Sequence, residues 1–323
     1  MKRLVSYFTE GIENKPLASS VGVEVETSFI QQEPTDEGQY ISYTVLDPNH
    51  TKPITVPQSQ ELLDRFRIRF DWQVTQRKGN LVTQISNNLG DKFCYELGRQ
   101  NIELSTAPDS GSRAVDKAEA LVKALSHPGT NNYYPYREQM YIVQNPGPIV
   151  QTDEELLLIP DERDAVWLKL DGRSALELLA RTSSVQFTIS VPPKDAIECL
   201  NRLGEKIGSF LKDYPQEENW RRYIKESKAN YHALRYGGPL FFDSIEDYCK
   251  KLIKHDVVVG PNLIPYNKVP DLDIPLYLRS IWWYFRLRRY GNTLCIEIRP
   301  LPRRSYIKFK DQFNFVMSVL SKI

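Results

Sequence analysis

Short stretches in which apolar and polar residues alternate recur along the chain. Alternation places every second side chain on one face of a β-strand, so each stretch predicts a strand with one face in the core. These stretches are residues 21–26, 66–72, 102–105, 185–191 and 295–299. Residues 81–86 and 93–97 flank Asn87-Asn88-Leu89-Gly90, a pattern that predicts a β-hairpin.

Four other stretches have the apolar spacing of amphipathic helices. They are residues 112–126, 193–213, 244–254 and 308–322. Ser112 is a candidate N-cap, Pro193 suits a first helical turn, and Ser244 with Asp247 resembles a capping box. Helices interspersed among strands that have polar faces predict an α+β fold with a mostly antiparallel sheet.

Glycine, proline and asparagine are densest in three segments, residues 127–149, 235–240 and 260–274. Such density predicts long loops. The first and last segments are candidate lids, because long loops in compact domains often cover binding sites. None of the three resembles an interdomain linker. We therefore expect one domain over residues 1–323.

The polar faces of the predicted strands carry several charged and amide side chains. They are Glu24 and Glu26, Glu103 and Ser105, Gln186, Thr188 and Ser190, and Glu297 and Arg299. Taken one at a time, each strand is typical of a solvated sheet face. If the strands share one sheet, however, their carboxylates meet on one surface and repel. Divalent cations such as Mg²⁺ relieve that repulsion and bridge carboxylate oxygens to phosphate.

Charge and cysteine usage exclude several classes of protein. The chain has 42 Lys and Arg against 41 Asp and Glu, a net charge of +1, so no overall field attracts nucleic acid or a membrane surface. No apolar run approaches the roughly 20 residues of a membrane span. The N-terminus lacks the apolar core of a secretory signal, so we expect a cytoplasmic protein. The 4 cysteines form no CxxC pair and are expected to be reduced.

Four blocks, in their order along the chain, resemble one known family. They are GVEVE at 22–26, YELGRQNIELSTAP at 95–108, SSVQFTISVP at 183–192 and WWYFRLRRYGNTLCIEIRP at 282–300. Together they resemble glutamate–cysteine ligase family 2, and most closely its bacterial carboxylate–amine ligase branch. The segment ALRYGGPLFFDSIEDYCKKLI at 233–253 is also similar to a block of that family. The resemblance covers most of the chain.

The resemblance implies a fold and a set of ligands. The fold would be that of the glutamine synthetase catalytic domain, a curved, mostly antiparallel sheet that forms an open funnel with helices on its outer face. The ligands would be ATP and two or three Mg²⁺ ions, or Mn²⁺. The family's metal ligands match Glu24, Glu26, Glu96, Glu103 and Glu297. Gln186, where the bacterial branch usually has histidine, would lie near the nucleotide.

The resemblance also implies a reaction. The protein would be an ATP-dependent ligase that joins a small-molecule carboxylate, such as glutamate, to an amine through an acyl phosphate. Arg299 and Arg286 would be catalytic, with Arg299 also binding nucleotide, and Arg235 would bind the substrate carboxylate. Three alternatives remain open: a phosphotransferase, a ligase acting on a peptide or protein, and a non-catalytic nucleotide-binding protein. The acid, the amine and the oligomeric state are not determined by the sequence.

Overall fold

An antiparallel sheet dominates the computed structural model, which describes residues 1–32, 51–126, 139–143, 146–161, 163–303 and 309–321. The strands in chain order are β1 Val21–Gln32, β2 Thr51–Pro53, β3 Gln73–Lys78, β4 Leu81–Ser86, β5 Lys92–Tyr95, β6 Asn101–Ser105, β7 Gln139–Val143, β8 Ser184–Ser190, β9 Tyr236–Gly237, β10 Val257–Val259, β11 Asn262–Ile264, β12 Trp282–Trp283, β13 Phe285–Tyr290 and β14 Thr293–Pro302. Eight strands follow the order β13-β14-β8-β1-β6-β5-β4-β3, and β2 and β7 pair with β1. This confirms an α+β fold with a mostly antiparallel sheet.

Some of the helices pack against the apolar face of this sheet, whereas others line a cavity on its other face. The helices are α1 Lys2–Thr9, α2 Val56–Phe70, α3 Gly111–Ser126, α4 Asp153–Leu156, α5 Asp164–Asp171, α6 Arg173–Leu179, α7 Ala196–Glu205, α8 Ile207–Leu211, α9 Gln216–Glu226, α10 Ile245–Leu252, α11 Ile274–Arg279 and α12 Phe309–Leu320. Residues of α5, α6, α9 and α11 line the cavity. On the apolar face, α2 contacts β4, α3 contacts β1 and β6, α7 contacts β13, and α8 contacts β14. Val21, Val23 and Val25 are fully buried on this side. The glutamates between them therefore point to the opposite, polar face.

The predicted hairpin and most predicted strands are confirmed. Residues 21–26, 102–105, 185–191 and 295–299 fall in or at the ends of β1, β6, β8 and β14. In the hairpin between β4 and β5, the Asn87 side-chain oxygen accepts hydrogen bonds from the backbone N–H groups of Leu89 and Asp91. Gly90 has φ +96°, a conformation that glycine adopts without strain.

The prediction of a strand over residues 66–72 was wrong, because these residues end helix α2. The Thr55 side chain accepts from the Gln58 backbone N–H and Gln58 reaches back, which starts the helix with a capping box. In the helix, Phe66 and Phe70 lie four residues apart on one face, and Phe66 makes the core contact by stacking on Phe93. Ile68, which a strand would have buried, is 66% exposed.

The predicted helices are confirmed with two corrections. Helix α3 begins at Gly111, so Ser112 lies inside it and is not its cap. The predicted helix over 193–213 is split into a 3-10 turn at Pro193–Asp195, α7 and α8. The break follows Gly204, where a Cβ would come within 2.3 Å of the Leu240 carbonyl oxygen. Close packing there requires glycine, which weakens a helix.

All three predicted loops contain regular structure. In the segment 235–240, Tyr236–Gly237 form β9, which pairs with β12. In the segment 260–274, β11 pairs with β10 and a 3-10 turn follows at Tyr266–Lys268. In the segment 127–149, residues 139–143 form β7, whereas 127–138 and 144–145 lie outside the described residues. The first candidate lid thus falls mostly outside them. The 4 cysteines are buried and unbridged, as expected. The single domain over residues 1–323 stays a prediction.

Among the described residues, no helix has the length and apolar character that crossing a bilayer requires.

Candidate functional site

A cavity of about 1250 Å³ lies on the polar face of the sheet. Its floor receives side chains from each of the eight strands in the ordered sheet. They are Arg286, Arg288 and Tyr290 of β13, Glu297 and Arg299 of β14, Gln186 of β8, Glu24 and Glu26 of β1, Glu103 of β6, Lys92 and Cys94 of β5, Gln84 of β4 and Gln76 of β3. Glu96, directly after β5, also lines the cavity. The structure thus brings together all the predicted site residues except Arg235.

Strand register explains why these side chains meet. Glu24 lies opposite Gln186 on one side and opposite Ser105 on the other. Glu26 lies opposite Glu103. Because paired residues of antiparallel strands point to the same face, the pleat places all of them on one surface.

Four acidic residues, Glu24, Glu26, Glu96 and Glu103, form what we call the glutamate cluster. Burial and the nearby carboxylates of Glu103 and Glu297 raise the pKa of Glu24 from 4.5 to about 7. Burial also raises the pKa of Glu26 and, together with Glu103, raises that of Glu96 well above its ordinary range. For Glu24, Glu26 and Glu96, burial and the neighbouring carboxylates therefore outweigh the effect of the nearby cations on the pKa.

Lys92 lies beside the glutamate cluster and was not among the site residues predicted from the sequence. Its Nζ lies 3.8 Å from a Glu103 oxygen, and the surrounding carboxylates raise its pKa further above the ordinary range. Lys92, Cys94 and Glu96 alternate along β5, so their spacing in the sequence was the available signal. Lys92 gives this part of the site one fixed positive charge.

Three arginines, Arg286, Arg288 and Arg299, surround Glu297 and form what we call the arginine cluster. Arg286 donates from Nε at 3.0 Å and from Nη2 at 2.6 Å to the two Glu297 oxygens. Arg299 Nη1 donates to Glu297 at 2.7 Å, and Arg288 Nε lies 3.5 Å away. These cations hold the pKa of Glu297 far below its usual range. Three arginines against one carboxylate leave two excess positive charges at this end of the cavity.

The three arginines differ in how many donors they leave free. Arg286 also donates to the backbone oxygens of Leu278 and Ile281, which occupies its guanidinium. Arg299 uses only Nη1, and its other N–H groups have no hydrogen-bond acceptor among the described residues. Arg299 is therefore better placed than Arg286 to bind an anionic ligand.

A chain of hydrogen bonds connects the two clusters. Ser184 donates from its backbone N–H and its hydroxyl to Glu26, both at 2.9 Å. Gln186 Nε2 donates to the other Glu26 oxygen at 2.8 Å, and Gln186 Oε1 accepts from Arg299 Nη1 at 2.7 Å. The two charged partners fix the orientation of the amide. Ser184 was missed by the sequence interpretation, although its alternation with Gln186 indicated a shared face.

We expect replacement of Gln186 by leucine to lower the free energy of unfolding by about 2–3 kcal/mol, because hydrogen bonds to two charged groups are lost together. Urea denaturation at pH 7 measures the change. Gln73→Leu, at an exposed position of β3 that does not line the cavity, is the control and should change stability by no more than about 0.5 kcal/mol. Equal effects of the two substitutions would contradict a bridging role for Gln186.

Arg235 lies apart from both clusters. Its side chain is 1% exposed and donates to the backbone oxygens of Ser280 and Asp256. Its guanidinium lies over the ring of Tyr231, 4.7 Å from the centroid, and it does not line the cavity. These contacts anchor the chain near β9 and β12. The role of Arg235 in substrate binding stays a prediction.

The glutamate cluster fits a hard divalent cation by the chemistry of its donors. Carboxylate oxygens are the ligands that Mg²⁺ and Mn²⁺ prefer, and a cation would offset the repulsion that raises these pKa values. Within the described ranges, no group of three His, Cys, Asp or Glu side chains already has the geometry of a metal site. Glu297 is the least suited of the five predicted ligands, because arginines occupy its oxygens.

Comparisons with known proteins give weak likenesses. No family model matches the sequence, and no curated protein matches it. A bifunctional glutathione synthetase from Pasteurella multocida aligns at 12% identity and a TM-score of 0.46, over 93% of this chain and 38% of its own. A glutamate–cysteine ligase from Francisella tularensis, solved in complex with AMP, aligns at 13% identity and a TM-score of 0.47, over 97% of this chain and 68% of its own. The chain therefore spans well under half of the first protein. At these TM-scores, no property of either protein is transferred to this chain.

Proposed function

We propose that this protein is an ATP-dependent carboxylate–amine ligase that forms an amide bond through an acyl phosphate. The observation that carries the proposal is the pairing of two opposite charge clusters on one cavity floor. The glutamate cluster has more negative charge than the protein compensates, and the arginine cluster beside it has an excess of positive charge. Phosphoryl transfer needs both a bound divalent cation and cationic side chains around the phosphates. A glutamine synthetase-like funnel is part of the proposal, and so is an activated carboxylate that belongs to an amino-acid residue such as glutamate.

Each cluster has a separate task. Glu24, Glu26, Glu96 and Glu103 would hold Mg²⁺, which neutralises charge on the triphosphate when bound. Arg299 would donate its free N–H groups to the transferring phosphoryl, for which a planar guanidinium is suited. Arg286 would fix Glu297 and Arg299 in position. Glu297 would therefore serve mainly as the counter-charge of the arginines, in addition to any contact with metal.

The proposed reaction has two steps. A substrate carboxylate oxygen attacks the γ-phosphorus of ATP, the bond from that phosphorus to the bridging oxygen breaks, and ADP leaves. An amine nitrogen then attacks the acyl carbon, the bond from that carbon to the phosphate oxygen breaks, and the amine loses a proton. The products are an amide, ADP and inorganic phosphate. Exclusion of water by the cavity walls would protect the acyl phosphate from hydrolysis.

Mass spectrometry tests the proposal directly. The protein is incubated with ATP, Mg²⁺ and a pool of amino acids and short peptides. We expect a product with the summed mass of two substrates less one water, formed together with ADP and phosphate. Glu198→Gln, at a surface position outside the cavity, should retain this activity.

Other outcomes would favour other functions. If a phosphorylated substrate formed without a condensed product, the protein would be a phosphotransferase and not a ligase. Nucleotide binding without turnover of any pool would favour a non-catalytic binding protein. Absence of both binding and turnover would overturn the proposal.

A further inference from the structure

We propose that the acid substrate of this reaction is a short peptide rather than a free amino acid. The inference rests on the proposed function. Its basis is a part of the cavity that we call the amide arm, whose floor is formed by Gln76, Gln84 and Lys92 and whose wall is formed by Ile159, Val166 and Trp167. The peptide would place its carboxyl group at the glutamate cluster and lie along this arm.

The length of the amide arm exceeds what a free amino acid needs. From Glu103 on β6 the floor crosses β5 and β4 to Gln76 on β3, three strand steps of about 4.8 Å, or about 14 Å. An extended chain advances about 3.5 Å per residue, so about four residues fit. The volume agrees, because 1250 Å³ exceeds the range of about 300–1000 Å³ that is usual for one drug-sized ligand. The cavity therefore has room for a nucleotide and a second extended molecule.

The distribution of charge indicates that ATP and the peptide bind at different ends of the cavity. ATP is a polyanion, and the excess positive charge lies at the opposite end of the floor, in the arginine cluster. In the amide arm the charged groups are paired: Arg163 donates to both Asp161 oxygens, and Lys92 faces Glu103. A nearly neutral surface suits a peptide backbone better than a triphosphate.

The floor of the amide arm carries groups that match peptide bonds. Each glutamine amide offers both donors and an acceptor, which is the complement of a backbone N–H and C=O. Gln84 Nε2 donates to the Thr75 hydroxyl at 2.9 Å, which orients its amide. Gln76 lies in the edge strand next to it, is exposed, and lines the cavity.

The wall of the amide arm offers a fixed aromatic surface. Trp167 Nε1 donates to Asp161 at 3.3 Å, and the Arg163 guanidinium lies 5.6 Å from the tryptophan ring centroid. Lys78 Nζ donates to the Leu157 carbonyl at 2.7 Å and also to Asp164, which ties this wall to β3. An indole held in this way contacts an apolar side chain at a small entropic cost.

Kinetics with substrates of increasing length test the inference. The probes are randomised pools of one to five residues with free carboxyl termini, supplied with ATP, Mg²⁺ and a fixed pool of amines. We expect kcat/KM to rise at least tenfold from one residue to four and then to level off. With the best tetrapeptide, Gln76→Leu and Trp167→Ala should each raise KM for the peptide about tenfold and leave KM for ATP unchanged. Gln73→Leu, in the same strand but outside the cavity, should change neither constant.

Two results would overturn the inference while leaving the ligase in place. One is condensation of free amino acids at least as efficient as that of peptides. The other is a rise in KM for ATP, and not for peptide, in the two variants, which would place the nucleotide in the amide arm. If no pool supports ATP turnover, the proposed function fails, and affinity selection of the same pools decides the inference separately. Retention of tetrapeptides by the wild type but not by either variant would support a peptide site, and no retention would refute it.

Discussion

Replacement of Glu297 by glutamine is expected to lower the free energy of unfolding by about 3–5 kcal/mol, the cost of leaving a buried charge without its partner. Glu297 is 4% exposed and Arg286, which bonds both its oxygens, is 6% exposed. Glutamine keeps the shape and one acceptor but removes the only carboxylate that contacts all three arginines of the cluster in the described structure. Urea denaturation at pH 7 is the measurement.

The pH dependence of this loss identifies its cause. Because the folded protein holds the pKa of Glu297 below its ordinary 4.5, the stabilisation is fully present above that value and is lost as pH falls towards the folded pKa. The difference in the free energy of unfolding between wild type and Glu297→Gln should therefore become progressively smaller below about pH 4.5. Glu198→Gln, which breaks a surface pair with Arg202, is the matched control and should cost less than about 1 kcal/mol. A loss that does not depend on pH would point to packing instead of charge.

Replacement of Glu24 by glutamine is expected to lower the proposed ligase activity by about 100-fold or more while stabilising the metal-free fold. Among the described residues no group donates a hydrogen bond to Glu24, so the substitution changes its charge with little loss of structure. Loss of a group that supports a metal site commonly costs about 10–100-fold, and a direct ligand should cost at least as much. The measurements are steady-state activity with Mg²⁺ and urea denaturation in a chelator.

The stability change has a defined sign. Below pH 4.5, Glu24 is protonated in both the folded and the unfolded state, so its titration does not lower the free energy of unfolding. Between 4.5 and about 7 only the unfolded state loses its proton, so stability falls as pH rises. At pH 8, Glu24→Gln should therefore be more stable than wild type by about 1–3 kcal/mol, since one pKa unit corresponds to about 1.4 kcal/mol and solvent screens part of it. Near pH 4 the two proteins should be equally stable.

The combination of both results is what identifies a functional carboxylate. Like charges held close together at a binding site destabilise the fold. Removing one of these carboxylates therefore raises the free energy of unfolding and lowers activity. If Glu24→Gln were both less stable and less active, Glu24 would have a structural role. If activity were unchanged, the glutamate cluster would not be the metal site.

The alternating pattern predicted most of the strands whose polar faces form the site. Alternation in GVEVE and CIEIR placed Glu24, Glu26, Glu297 and Arg299 on polar faces, and the structure puts them on one cavity floor. Alternation failed at residues 66–72, because Phe66 and Phe70 also share one face of a helix and the cap at Thr55, which starts that helix, lies well upstream. The helix predicted over 193–213 is interrupted just after Gly204, where Leu240, far away in the sequence, leaves no room for a side chain.

The partners of these polar groups follow from strand order and register, which the alternating pattern does not contain. The sequence presents Glu297 as one more carboxylate, whereas β13 brings Arg286 and Arg288 beside it and makes it a counter-charge. Likewise, the sequence presents Arg235 as a candidate to bind the substrate carboxylate, whereas in the fold it is buried against Tyr231 and Ser280. The pattern along a strand fixes which face a side chain takes, because the pleat is local. Strand order and register fix its partners, because they depend on contacts between residues distant in the chain.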